Sequence, residues 1–244
     1  MASVIQATGS STDNATSCSQ AFGSNVTSGN LGIVMVWRYT GSAAVDLPTA
    51  AECTKSAGTA TIGTVTRHVT GQASWTSPGD GHGCTAIFSF PITGTGSLTM
   101  NVAGAPSGSY HGMAVLEANG YSSTAEATNS ASDGGTASPV DSGNATSAGA
   151  ALFVGCAHIP STGTVTITVD GAFTLIFEQQ DGSAHETGSS EYKTVASGNT
   201  DSASWTYTGT SLDESACVTV FPIVAAGGLT IPIAFPHYTK QMAA

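Results

Sequence analysis

Gly29-Asn30-Leu31-Gly32-Ile33-Val34-Met35-Val36-Trp37-Arg38-Tyr39 is the stretch from which the fold can be read. In an extended chain, side chains alternate between two faces. Leu31, Ile33, Met35, Trp37 and Tyr39 then share one face and Gly32, Val34 and Val36 the other. Both faces are mostly apolar. A run this short, rich in β-branched and aromatic residues and opened by Gly-Asn, reads as a central strand packed on both sides, not as a helix. It is expected to be the core strand of a β-sandwich, with Trp37 buried.

The runs on either side read as its partners. Towards the N-terminus, 4–8 and 21–26 are short candidate strands separated by the polar stretch 9–19. Towards the C-terminus, 40–58 reads as loop, and 59–69 alternates as one strand or as two joined at Gly63. Pro78-Gly79-Asp80-Gly81 is a strong turn signal leading into the strand Cys84–Phe90, which Pro91 ends or places at an edge. Strands follow at 97–102 and 112–118. From 119 to 149 nothing periodic appears, which predicts a long surface loop or a connection between two sheets. The second half repeats the signals at 150–158, 164–169, 173–178, 190–195, 202–208 and 216–224, with Asp170-Gly171 as a hairpin turn. No segment reads as a helix. The fold class expected is all-β: an antiparallel β-sandwich of jelly-roll type over residues 1–226, with an extended C-terminal arm over 227–244.

The strands around Leu31 to Trp37, Met113 to Glu117, Ala151 to Gly155, Ser202 to Trp205 and Val218 to Phe221 resemble a β-sandwich module of bacteriophage structural proteins and bacterial surface proteins, of the jelly-roll or concanavalin-like type. The likeness spans residues 25 to 222 and lies in strand texture. It implies a fold and a phage context, and it assigns no catalytic residue.

Charged residues make up 9% of the chain, against roughly 25% in an average globular protein. Ser, Thr, Gly and Ala stand where Lys and Glu would be usual. Five basic and sixteen acidic residues give a net charge of −11, which opposes binding to nucleic acid or to an anionic membrane. Residues 1–9 show no basic n-region followed by an apolar h-region, and no run reaches transmembrane length. The sequence is therefore expected to act as part of a virion, assembled in the host cytoplasm and used on the surface of the particle.

Catalytic patterns are missing or incomplete. There is no Gly-x-Ser-x-Gly elbow, and Glu117 and Glu178, at strand ends, are the best carboxylate pair a glycosidase reading has. Asp181, His185, Glu186 and Glu191 crowd one Gly/Ser-rich stretch in a spacing that matches no named metal site. Asp80-Gly81-His82-Gly83-Cys84 offers zinc too few ligands. The odd set Cys18, Cys53, Cys84, Cys156 and Cys217 has no CxxC pair. Cys156 and Cys217 read as buried thiols, while pairing of Cys53 with Cys84 stays open. Of the three tryptophans, Trp37 and Trp205 read as core, which leaves Trp75 as the candidate glycan contact. No cofactor, metal or catalytic residue is expected.

In Leu229-Thr230-Ile231-Pro232-Ile233-Ala234-Phe235, the large side chains fall on one face of an extended segment, and Pro232 and Pro236 bar it from the middle of a sheet. Leu229, Ile231, Ile233, Phe235 and Tyr238 are accordingly the candidate interface residues. The leading expectation is a non-enzymatic virion structural protein of a tailed bacteriophage. It would be a capsid decoration or another head or tail surface component, a homo-oligomer bound to other virion proteins. The alternative is a carbohydrate- or receptor-binding module for host adsorption, using the loops around Trp75 and Asp181.

Overall fold

The structure is a computed structural model that describes residues 2–41, 46–75, 81–133, 138–160, 165–169, 172–179, 187–209 and 212–224, without the side chains of Trp75 and Asp133. Every regular element in it is a β-strand. In chain order the first half holds β1 (Ser3–Ala15), β2 (Cys18–Ala21), β3 (Leu31–Tyr39), β4 (Cys53–Ala57), β5 (Thr61–Ile62), β6 (Thr66–Trp75), β7 (Gly81–Gly94), β8 (Thr99–Val102) and β9 (Ser109–Asn119). The second half holds β10 (Ala127–Asp133), β11 (Val140–Asp141), β12 (Ala145–Ser147), β13 (Ala151–His158), β14 (Thr166–Val169), β15 (Thr174–Gln179), β16 (Gly188–Val195), β17 (Asn199–Asp201), β18 (Ser204–Thr208) and β19 (Glu214–Pro222).

The two halves have the same topology. In the first, a large sheet runs β1-β9-β3-β7-β6 and a small one β2-β8-β4; in the second, the orders are β10-β19-β13-β16-β15 and β11-β18-β14. Taken in chain order, each strand of one half has its counterpart in the other, with β5 and the β12-β17 pair as additions. All pairings are antiparallel. The order first-last-third-sixth across a large sheet, facing second-seventh-fourth, is jelly-roll connectivity with the fifth strand moved onto the large sheet's edge.

The two large sheets pack back to back. Leu31, Ile33, Met35, Trp37, Ile87 and Leu116 meet Leu152, Val154, Cys156, Cys217 and Phe221 in a central core. The opposite faces of the large sheets carry a second and a third core. Val34, Val36, Phe88, Phe90 and Val115 pack against the small sheet of the first half, and Phe153, Val218, Val220 and Trp205 against that of the second. The molecule thus has four layers, small-large-large-small. This is why β3 is apolar on both faces and buried along its whole length.

At the flanks, β1 lies against β15 and β6 against β10. Because β1 corresponds to β10 and β6 to β15, that arrangement is a pseudo-twofold axis running along the strands between β3 and β13. Equivalent strand ends of the two halves therefore point the same way.

Several expectations are corrected. The polar stretch 9–19 is not a spacer: residues up to Ala15 continue β1 as a Ser/Thr-rich edge strand paired with β9. The aperiodic stretch 119–149 carries β10, β11 and β12, and it also makes the crossing from the first half to the second. The strands on either side of Asp170-Gly171 do not form a hairpin, because β14 pairs with β18 and β15 with β16, in different sheets. Residues 227–244, read as an arm, lie outside the described residues.

Candidate functional site

Because strand directions alternate, about half of the connections lie at one end of the sandwich and the rest at the other. The ends of β3, β6, β10, β13, β15 and β18 all lie at one of these ends, so the connections spanning 40–52, 76–80, 134–139, 159–165, 180–187 and 209–213 start from the same end. The strand ends interlock beneath them. Gly83 on β7 faces the His158 ring of β13, where a Cβ would come within 2.1 Å of Nδ1. His158 stacks on Trp37 at 5.5 Å and stands 6.4 Å from Tyr39, which is itself 5.9 Å from Tyr110. Gly112 and Gly188 leave room for the Trp37 ring, since a Cβ on either would lie 2.0 or 2.5 Å from it. The outcome is a rigid aromatic floor.

On the outer side of the first large sheet at this end lies a buried cation. The fully buried Arg38 guanidinium pairs with Asp46 at 2.6 Å and donates to the Ala103 carbonyl at 2.9 Å. Close by, His111 Nε2 lies 3.0 Å from the Ala15 carbonyl, so that nitrogen carries the proton. Burial holds the His111 pKa down at about 4, with the Arg38 charge acting in the same direction.

A cleft of about 260 Å³ opens on the second half, lined by Pro139, Asp141, Phe173, Lys193, Asp201 and Ser202. Its charges are held by their own neighbours. Lys193 pairs with Asp201 and sits 5.4 Å over the Phe173 ring. Asp201 also accepts from the Ser202 amide, and Asp141 from the Gly143 amide and the Ser202 hydroxyl. Such a polar cleft can hold a hydroxyl-rich ligand. Nothing in it is arranged as a nucleophile with its base.

Two Ser–His pairs escaped the sequence reading, because only strand register brings their members together. Ser89 Oγ lies 2.7 Å from His68 Nε2 and donates to the Ser123 carbonyl at 3.1 Å. The hydroxyl proton is thus directed at a carbonyl, and Ser89 is fully buried, out of reach of a substrate. Burial lowers the His68 pKa. The other pair, Ser74 Oγ and His82 Nδ1 at 2.8 Å, joins β6 to β7 beside the 76–80 connection.

The residues singled out from sequence are distributed as follows. Trp37 and Trp205 are buried in the central and outer cores. Trp75 closes β6 opposite Gly81, at the same end of the sandwich as the 180–187 connection, and its side chain is outside the described residues. Asp181, His185 and Glu186 are also outside them, while Glu191 is buried in β16 beside Trp205, away from that connection. Glu117 and Glu178 do not face each other: Glu117 points into the outer side of its sheet. There it accepts from Gln6 and Asn30, both at 2.6 Å, and from the Thr27 amide at 2.8 Å. A buried carboxylate with three donors is a structural link. All five cysteines are free and buried, Cys53 and Cys84 included, and burial pushes the thiols of Cys53, Cys84 and Cys217 up to about 12. The interface candidates Leu229, Ile231, Ile233, Phe235 and Tyr238 fall outside the described residues.

No protein family, curated protein or solved structure matches the chain.

Proposed function

We propose that this protein is a non-enzymatic structural component on the surface of a tailed-phage virion, a capsid decoration or another head or tail surface protein. The observation that carries the reading is the place where the described chain leaves the sandwich. The described chain leaves at Val224, at the end opposite Trp75, where its amide donates to the Gly120 carbonyl. Beside that point, Gly120 touches Ala2 at the start of the open edge strand β1. The end at Val224, next to the open edge of β1, is thus suited to holding an assembly. A low charge density and a net charge of −11 accord with a coat surface that repels nucleic acid. Decisive evidence would come from electron micrographs of particles lacking the protein after incubation with purified chain. Added density at regular positions is expected, and bare particles at saturating protein would refute the reading.

A second reading, a glycan- or receptor-binding module, draws on the placement of Trp75 and the 180–187 connection at one end, and on the hydroxyl-compatible cleft of Lys193 and Phe173. Binding on a glycan array that Trp75→Ala abolishes would favour it. Binding that Phe173→Ala abolishes instead would place the ligand in the cleft.

A further inference from the structure

We infer that residues 229–235, in the segment beyond Val224, add as a strand to the free edge of β1 in a second copy of this chain; the inference rests on the virion surface protein proposed above. Among the described residues β1 pairs only with β9, so its other edge is open over thirteen residues. Open edges are normally blunted by Lys, Pro or bulges. This one has neither Lys nor Pro, and its bulges fall between Val4 and Gln6 and between Thr12 and Ala15, leaving Gln6 to Thr12 regular. Beside it on the same flank lies β15, with Leu175 exposed at 40% and Ile176 and Phe177 half-buried; Gly9 of β1 lies directly against Phe177.

The segment beyond Val224 fits that edge. Leu229 to Phe235 has the same length as Gln6 to Thr12. Its large side chains share one face, able to cover Leu175, Ile176 and Phe177. Pro232 and Pro236 are both even-numbered, so their missing N–H groups fall on a single edge of the strand, and the edge formed by Leu229, Ile231, Ile233 and Phe235 keeps every donor. Such a strand pairs on one side and blocks further addition on the other. This is how β-augmentation ends without a fibre.

Direction selects the second copy over the same one. Val224 lies beside the first residues of β1, so a segment following its own β1 would run parallel to it. Every ladder among the described residues is antiparallel, and parallel pairing is slightly weaker per residue. A copy turned about a twofold axis perpendicular to the strands offers its β1 in the antiparallel sense.

The test uses the full chain, whose native thiols are buried. Ser10→Cys and Thr230→Cys variants, one carrying a mass tag, are mixed and treated with a short bis-maleimide. A product joining one tagged and one untagged chain is expected, and it should fade with excess peptide 227–241. No mixed product, or cross-linking only within single chains of the double variant, overturns the inference. Independently, Ile231→Asp with Ile233→Asp should weaken self-association by about tenfold or more in light scattering; unchanged association overturns it. No phage particle enters these assays, so failed attachment to a virion and failed strand exchange are separate results.

Discussion

Trp37 concentrates the chemistry of the core in one side chain. It is fully buried between the large sheets, stacked on His158, and given its space by the missing side chains of Gly112 and Gly188. Trp37→Ala should therefore cost about 3–5 kcal/mol, seen as a lower denaturation midpoint with an unchanged slope. A variant with the parent's midpoint would disprove the assignment. At His111 the prediction concerns pH. The folded ring has a pKa of about 4 against the ordinary histidine value of 6.5, so between these values the unfolded chain binds more protons. Stability from this group is complete above pH 6.5 and is lost as pH falls towards 4, by about 3 kcal/mol in all. His68, also lowered by burial, adds in the same direction. His111→Gln, which keeps a donor for the Ala15 carbonyl, should lose less stability than the parent between pH 7 and pH 4. Equal losses in the two proteins would contradict this.

At the scale of the element, what could be read from sequence depended on how many faces a strand buries. β3 and β13 are covered on both sides, and their unbroken apolar runs were plain. β1 and β10 are edge strands with Ser, Thr and Asn in ten of their twenty positions. Their pairing comes from the backbone of β9 and β19, so no hydrophobic period marks them. Asp170-Gly171 looked like a hairpin turn because local signals do not tell a turn within a sheet from a crossing between sheets. Glu117 read as half of a strand-end carboxylate pair because its donors, Gln6, Thr27 and Asn30, are far away in sequence. Of the candidate sites, the tryptophans could be sorted from their apolar surroundings. That Trp75 and the 180–187 connection lie at the same end of the sandwich needed the topology. The β15–β16 pair carries one further expectation: with no metal-ligating spacing among Asp181, His185, Glu186 and Glu191, EDTA should leave the melting temperature unchanged. A drop on chelation would mean an ion stabilises the native state.

At the scale of the molecule, the three cores are stacked, and the middle one is shared by both halves. Separating the halves would expose Ile33, Met35, Trp37 and Leu116 on one side and Leu152, Val154 and Phe221 on the other. Unfolding should therefore be one cooperative transition, with calorimetric and van't Hoff enthalpies in agreement. Two resolved transitions would show that each half stands alone. Leu152→Ala, in the second half, should lower the midpoint reported by Trp37 fluorescence in the first.

The pseudo-twofold axis makes the chain, in effect, a heterodimer that dilution cannot separate, because each half meets the other at an effective concentration set by the short link after Asn119. An assembly of identical subunits must change both partners whenever it changes one. Here 76–80 and its counterpart 180–186 can accept different residues while the sheets beneath them keep one geometry. A single molecule then carries two dissimilar pairs of strand ends, β6–β7 and β15–β16, on opposite flanks of one end and at a fixed spacing.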